Sequence, residues 1–340
     1  MKIIPKQPSI FISYNWAQLD FSDSIEKNLK GIATIIRDRE YMSDWDSLPN
    51  FMKQIRHQDF VVLLISDEYL KSTNCMYEVS QLVKDNDWQK KVMFIVFSNV
   101  NIYDIREHSQ YIAYWQQRRQ EIENQIISLP MQSVDGLVSE LKKIDEIQIT
   151  ISDFLVKIKS SKNPLLENAI IAIRRRVTKY NFDDCNNVQM LLLETIRILS
   201  NITETDYNQI ILSSRTASHD LGLVVYADSI SGYKQKYRVV EQGGLIATCF
   251  AEGKSLVSNN VKKESHYYNA VLETRSEAIV LITYEGRPLG AFNSESELLD
   301  YYTDNKLVEI ESVLASFVHQ LMKLGYRPNI EYDELPYVSL

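Results

Sequence analysis

DFVVLLIS, residues 59–66, holds an unbroken apolar run from Phe60 to Ile65 and closes on a serine. The run has strand length, is rich in β-branched residues and lacks the polar alternation of a strand with one wet face. It therefore reads as a strand buried on both sides. Three other stretches have the same character: SIFISY (9–14), IATIIRD (32–38) and KVMFIVFS (91–98). Helical patterns separate them, FSDSIEKNLKG (21–31) with Gly31 as its stop signal and LPNFMKQIRHQ (48–58). A βαβα order predicts an α/β unit with a parallel sheet. Ligands of such open sheets bind beyond the carboxyl ends of the strands, where Tyr14, Asp38 and Ser66 fall.

The segment after this strand, STNCMYEVSQLVKD (72–85), predicts an amphipathic helix. At ~100° per residue Cys75, Met76, Val79, Leu82 and Val83 share one arc, and Glu78 lies just beyond its edge. Ser72 or Thr73 can cap the helix, which follows the strand across a short connection, DEYLKST (67–73). Glu78 is thus expected at a rim on the ligand side. A rim carboxylate is either a solvated surface group or a group that reaches a cleft.

A chain of 340 residues with 45% hydrophobic content can build two globular domains. The start, MKIIPKQPSI, has no apolar signal core, and no run of about 18 apolar residues occurs, so a cytoplasmic protein without a membrane partner is expected. Cys75, Cys185 and Cys249 lack disulfide or metal-ligand spacing, so buried thiols and no metal are expected. With a net charge of -8 and only the short IRRRV (173–177) as a basic cluster, nucleic acid is not an expected partner. His57 and His108 read as surface residues, Asp44 and Asp46 as solvated loop charges, and Cys75 as a packed helix residue without a histidine nearby. Asp38 can bind a ribose or cap the next turn.

Residues 101–184 are helical and charged, with SSKNP (160–164) as the clearest breaker before LLENAIIAIRRRVTKY (165–180). Beyond it the pattern changes. A helix at NNVQMLLLETIRILSNI (186–202) precedes strand-like LGLVVYADS (221–229) and KYRVV (236–240) and the glycine-bearing EQGGLIATCFAEGKSLVSNNV (241–261). EAIVLITYEGRPLGAFNSES (277–296) predicts a hairpin turning at Gly286. A closing helix has Leu307, Ile310, Leu314, Phe317, Val318, Leu321 and Leu324 on one face, with Thr303 or Asp304 at its start. This order predicts an α+β domain with an antiparallel sheet. The expected boundaries are a first domain at 1–160, a helical linker at 161–184, a second domain at 185–325 and a tail at 326–340.

IFISYNWAQLD (10–20), IIRDREYMSDWDSLP (35–49), DFVVLLISDEYLKSTNCMYEV (59–79) and VMFIVFS (92–98), in that order, resemble the sequence boxes of a bacterial Toll/interleukin-1 receptor (TIR) domain. The resemblance implies a flavodoxin-like parallel sheet and, in many bacterial members, NAD+ nucleosidase activity at the nicotinamide–ribose bond, with NAD+ as substrate and no cofactor. Glu78 matches the catalytic glutamate, and Tyr14, Asn15 and Trp16 match positions lining the nicotinamide end of the pocket. REYMSDWDSLP (39–49) matches the mobile loop that covers the site and packs neighbouring domains together; Trp45 belongs to it. Where the family often has tryptophan four residues before the glutamate, this chain has Asn74. An aromatic surface for the substrate must then come from Trp16, Tyr41 or Trp45, or the substrate is held differently.

GGLIATCFAEGKSLVSNNVKKESHYY (243–268), TRSEAIVLITYEGRPLGAFNSES (274–296) and the terminal helix resemble a GAF domain. That resemblance implies a small-molecule ligand between sheet and helices, dimerisation through the first and last helices, and regulation of an attached effector. The chain has neither a Cys-His pair for a bilin nor the cyclic-nucleotide signature; Arg275, Ser276, Asn293 and Glu295 are candidate pocket residues. Two readings stand: an NAD-consuming effector of antiphage defence, releasing ADP-ribose or a cyclic isomer, and a non-enzymatic adaptor that assembles through TIR contacts.

Overall fold

The structure, a computed structural model, describes residues 7–37, 54–100, 102, 104–130, 134–205, 207–215, 221–229, 244–264, 267, 273–326 and 338–339. The chain divides into a compact unit Pro8–Ile173 and a second that includes Arg174–Leu340. Asp38, Trp45 and the rest of REYMSDWDSLP lie outside the described residues, as does KYRVV.

In the first unit the apolar runs become β1 (Ser9–Ser13), β2 (Thr34–Ile36), β3 (Phe60–Ile65) and β4 (Val92–Val96), all parallel in the order β2-β1-β3-β4. Every residue of β3 is buried, as an unbroken apolar run requires of a strand covered on both faces. Asp59 accepts from the Ser9 amide at 2.8 Å and from its hydroxyl at 2.9 Å, pinning the start of β1 against β3. Helix α1 (Leu19–Leu29) returns the chain to β2, and Gly31, with φ of 80°, turns it in a conformation that costs glycine little. Arg37, after β2, is buried and pairs with Asp23 at 2.5 Å and with Glu26, both on α1.

DEYLKST is a helix, not a plain connection: α2 (Asp67–Lys71) is capped by the Ser66 hydroxyl, which accepts from the Tyr69 amide. Ser72 then caps α3 (Thr73–Leu82), whose residues from Cys75 onward are all buried. Of LPNFMKQIRHQ, Gln54–His57 form one 3-10 turn. A short α4 (Trp88–Lys91) leads into β4, and the long helices α5 (Ile105–Ser128) and α6 (Asp135–Ser160) close the unit. Met76, Val79 and Leu82 of α3 share one core with Val61, Leu63 and Ile65 of β3, Trp115 of α5 and Phe154 of α6. The Trp115 indole donates to the Leu70 carbonyl at 3.0 Å, so the largest core side chain also satisfies a buried carbonyl. His108 is buried, not at the surface: a ring nitrogen lies 2.5 Å from the Ile102 carbonyl, which makes it a local tie at the start of α5. His57 is exposed.

Helix α7 (Ala169–Asp183) follows the SSKNP break, and α8 (Val188–Thr203) is capped by Asn187. The second sheet contains β5 (Tyr207–Arg215), β6 (Leu221–Asp228), β7 (Leu256–Ser258), β8 (Ser276–Tyr284), β9 (Arg287–Ser296) and β10 (Val338–Ser339), ordered β10-β6-β5-β9-β8-β7. Its pairings are antiparallel except β10 with β6. Helices α9 (Leu245–Glu252) and α10 (Asp304–Lys323) flank it, the latter capped by Thr303. The β8–β9 hairpin turns through Glu285 (φ 50°) and Gly286 (φ 76°), the two left-handed residues that a two-residue turn with matching twist demands.

The apolar faces of α8 and α10, expected to pair across a dimer, are used inside the unit: Leu191, Leu199, Leu314 and Phe317 are all buried within this single chain. Nor do the four candidate pocket residues come together. Register puts Asn293 and Glu295 on one face of the sheet and Ser276, opposite Ser296, on the other, while Arg275 is exposed. Cys75, Cys185 and Cys249 are all buried, as expected; burial first pushes the Cys185 and Cys249 thiols up to about 12.

Gly290 of β9 has no room for a side chain, since a Cβ there would sit 2.1 Å from the Ile211 carbonyl oxygen and 2.9 Å from the Leu212 Cα. Both are backbone atoms of the neighbouring strand. Gly290→Ala is expected to destabilise the second unit by about 3 kcal/mol or more. The check is calorimetry of the full chain, in which the second unit's transition moves down and the first unit's does not; a single unshifted transition would contradict the close approach.

Candidate active site

The strand order places a topological switch point between β1 and β3. From β1 the chain leaves through α1 to β2 on one side, and from β3 it leaves through α2 and α3 to β4 on the other, so the connections diverge at the carboxyl ends of β1 and β3. Such a divergence is where open α/β sheets accept ligands. Ser13 ends β1, Ser66 follows β3, and α3 brings Glu78 to the same corner.

Glu78 is not at a solvated rim. It is 8% exposed and accepts a hydrogen bond at Oε2 from the Ser13 hydroxyl. The Ser13 oxygen lies 2.7 Å from the Tyr69 phenol oxygen, itself fully buried. Burial first, then the nearby Cys75 and Glu78, push the Tyr69 phenol well above its usual range, the Ser13 contact opposing them. Tyr69 therefore keeps its proton, and either oxygen of the Ser13–Tyr69 pair can be the donor.

Tyr14 follows Ser13 and is nearly buried; the Cys75 thiol on α3 donates to its carbonyl at 3.5 Å. Asn15 shapes the turn, its side-chain oxygen accepting from the Ala17 amide at 3.1 Å while its amide group donates to the Glu68 carbonyl at 3.4 Å. Trp16 is 64% exposed and meets the Tyr14 ring edge-on at 6.3 Å between centroids. Gln18 accepts from the Ser66 hydroxyl at 3.1 Å, joining the segment after β1 to the start of α2. The structure thus gathers Tyr14, Asn15, Cys75 and Glu78 at one corner. Asn74 is exposed on the first turn of α3, one turn before Glu78. Ser13 and Tyr69 escape a sequence reading, the serine as the last residue of an apolar strand and the tyrosine inside what looks like a loop. The available signal is Ser13 itself, a polar side chain that closes the apolar stretch Ile10–Ile12. Among the described residues no group of three or more His, Cys, Asp or Glu side chains could hold a metal, and no helix is long and apolar enough to cross a membrane.

Residues 10–127 match the family model of the TIR domain, so the first unit carries a TIR domain. Among solved structures, similar chains include free methionine-R-sulfoxide reductase of Neisseria meningitidis in complex with its substrate, at 16% identity and a TM-score of 0.41, covering 49% of this chain and 95% of that one. The GAF domain of an Acinetobacter phosphoenolpyruvate-protein phosphotransferase is similar at 11% identity and a TM-score of 0.40, covering 47% and 97%. Its Coxiella burnetii counterpart is similar at 13% and 0.38, covering 46% and 97%. No curated protein matches the chain.

The helix that carries Glu78 is clamped from behind. Glu146 of α6 accepts from the Gln81 amide and the Lys84 ammonium, both at 2.7 Å, and from the Ser80 hydroxyl at 3.4 Å. Burial raises the Glu146 carboxyl, but Lys84 and then Gln81 and Ser80 outweigh it and hold it below the usual carboxylate range. A carboxylate with a depressed folded-state value adds stability above the ordinary range and loses it as pH falls through the folded value. Because the Lys84 pair is part-exposed, the ionic contribution is small, and Glu146→Ala is expected to cost about 1 kcal/mol at neutral pH. Denaturant titrations of both proteins check this, the difference shrinking below about pH 4. A difference independent of pH would show that the charge contributes nothing.

Proposed function

We propose that the TIR domain is an NAD+ nucleosidase in which Glu78 supplies the charge that the transition state needs. The observation that carries this reading is a carboxylate 8% exposed, held by a hydroxyl donor at the divergence of the sheet connections. When the bond from ribose C1′ to nicotinamide breaks, its electron pair passes to the pyridinium nitrogen, and nicotinamide leaves neutral. No acid is needed, in contrast to ordinary glycosidases with their paired carboxyl groups. What remains is positive charge on the ribose, which a carboxylate in a water-poor corner stabilises strongly. Water adds to C1′ and releases one proton, giving ADP-ribose; attack by an adenine nitrogen instead gives a cyclic isomer.

In this reading Tyr14 and Asn15 wall the nicotinamide end and the exposed Trp16 indole offers the aromatic surface that Asn74 cannot. Asp38 as a ribose contact and Trp45 as a loop contact enter this reading from the sequence alone, since both lie outside the described residues. The second unit acts as a GAF-like module that binds a small molecule and, with the TIR domain, self-associates to set activity. Such an NAD-consuming effector suits bacterial antiphage defence.

Glu78→Gln keeps the shape of the side chain and removes its charge. NAD+ cleavage, followed by mass spectrometry of the products, is expected to fall by about 10²–10³ with an unchanged melting temperature. Undiminished cleavage by the folded variant would overturn the assignment of Glu78. If the wild-type protein shows no cleavage at any concentration, the adaptor reading replaces the enzyme. The rate is also expected to rise more steeply than linearly with protein concentration; full turnover by a protein shown to be monomeric by light scattering would refute dependence on assembly.

A further inference from the structure

Hydrogen counting at the corner gives the three buried groups a direction. An ionised carboxylate only accepts, and a serine hydroxyl has one hydrogen to give. With Glu78 ionised, the Ser13 hydrogen goes to Glu78 Oε2, and the 2.7 Å contact between Ser13 and Tyr69 must be donated by the phenol. Nothing else among the described residues bonds the Tyr69 hydroxyl. The tyrosine is set by structure on both sides: its amide caps onto Ser66 at 3.1 Å, and its ring is fully buried between α2 and the sheet.

We propose that Tyr69 and Ser13 are positioning residues for Glu78: a one-way chain, phenol to serine to carboxylate, fixes one oxygen of the carboxylate and holds it ionised in a nearly dry corner. A charge-assisted donor that is itself polarised by a second donor favours the charged form more than a lone hydroxyl does. The hydrogen-bonded route from Tyr69 to Glu78 runs through Ser13, beside the direct electrostatic effect between the two groups. This rests on the reading of Glu78 as the catalytic carboxylate, but the ionisation it describes can be measured without turnover.

The experiment follows the Glu78 carboxyl carbon by NMR in full-length protein labelled at glutamate, the signal being assigned by its loss in Glu78→Gln. Ser13→Ala is expected to move the Glu78 titration midpoint up by about one to two pH units. Tyr69→Phe, which keeps the ring in its slot, should move it the same way by less, and the double variant should match Ser13→Ala alone. Ser13→Thr, which restores a hydroxyl, should return the midpoint most of the way. In NAD+ cleavage, kcat should fall at least about tenfold in Ser13→Ala with KM less affected, and the acidic limb of the pH profile should move with the NMR midpoint. An unchanged midpoint in folded Ser13→Ala, or an additive effect of Tyr69→Phe in the double variant, would overturn the chain. Should Ser13→Ala fail to fold, the Tyr69→Phe midpoint alone decides. Shifted midpoints in a protein that never cleaves NAD+ would uphold the chain and defeat the enzymatic reading.

Discussion

A carboxylate taken out of water must be given hydrogen-bond donors, and the first unit is arranged around that requirement at Glu78. Transfer of an unpaired ionised group into an apolar interior costs far more than a domain's net stability. Ser13 serves as donor at the end of β1, whose start Asp59 ties to the start of β3. Tyr69 reaches Ser13 only because Ser66 begins a helix directly after β3. The divergence of the chain at these two strand ends opens the corner, and the two serines furnish it.

Much of this architecture was readable from periodicity. Unbroken apolar runs gave four parallel strands, Ser72 and Thr303 appeared as caps, and Gly286 marked the hairpin. Depth was less readable. An arc of apolar residues on α3 implied a wet opposite side, but α6 and the end of β1 cover that side as well, so Glu78, Ser80 and Gln81 are buried together. His108 was misread for the same reason: a polar residue with a backbone partner can be buried, and sequence does not reveal partners. α2 escaped because five residues are too few to display a helical period.

The strand β5 was also missed, and its composition explains why. YNQIILSSR has a short apolar centre between polar ends, a weak signal beside the longer runs around it. Yet it lies in the middle of the second sheet, bonded to β6 and β9. Its polar side chain Asn208 is buried because it lies at the end of the sheet where a strand end and a loop carry hydrogen-bonding groups of their own. Asn208 accepts from Thr203 at 2.9 Å and donates to the Thr205 carbonyl at 2.8 Å. Tertiary satisfaction of polar groups overrides the local preference that a propensity reading follows.

The burial of every cysteine gives the molecule an internal clock for local opening. A thiol reacts as its thiolate, and a covered one is inert until its surroundings part. Cys75 belongs to the helix that carries Glu78, whereas Cys185 and Cys249 belong to the second unit. Alkylation followed residue by residue therefore times the breathing of the two units independently, from native side chains alone, and any compound that tightens one unit slows its own thiols first.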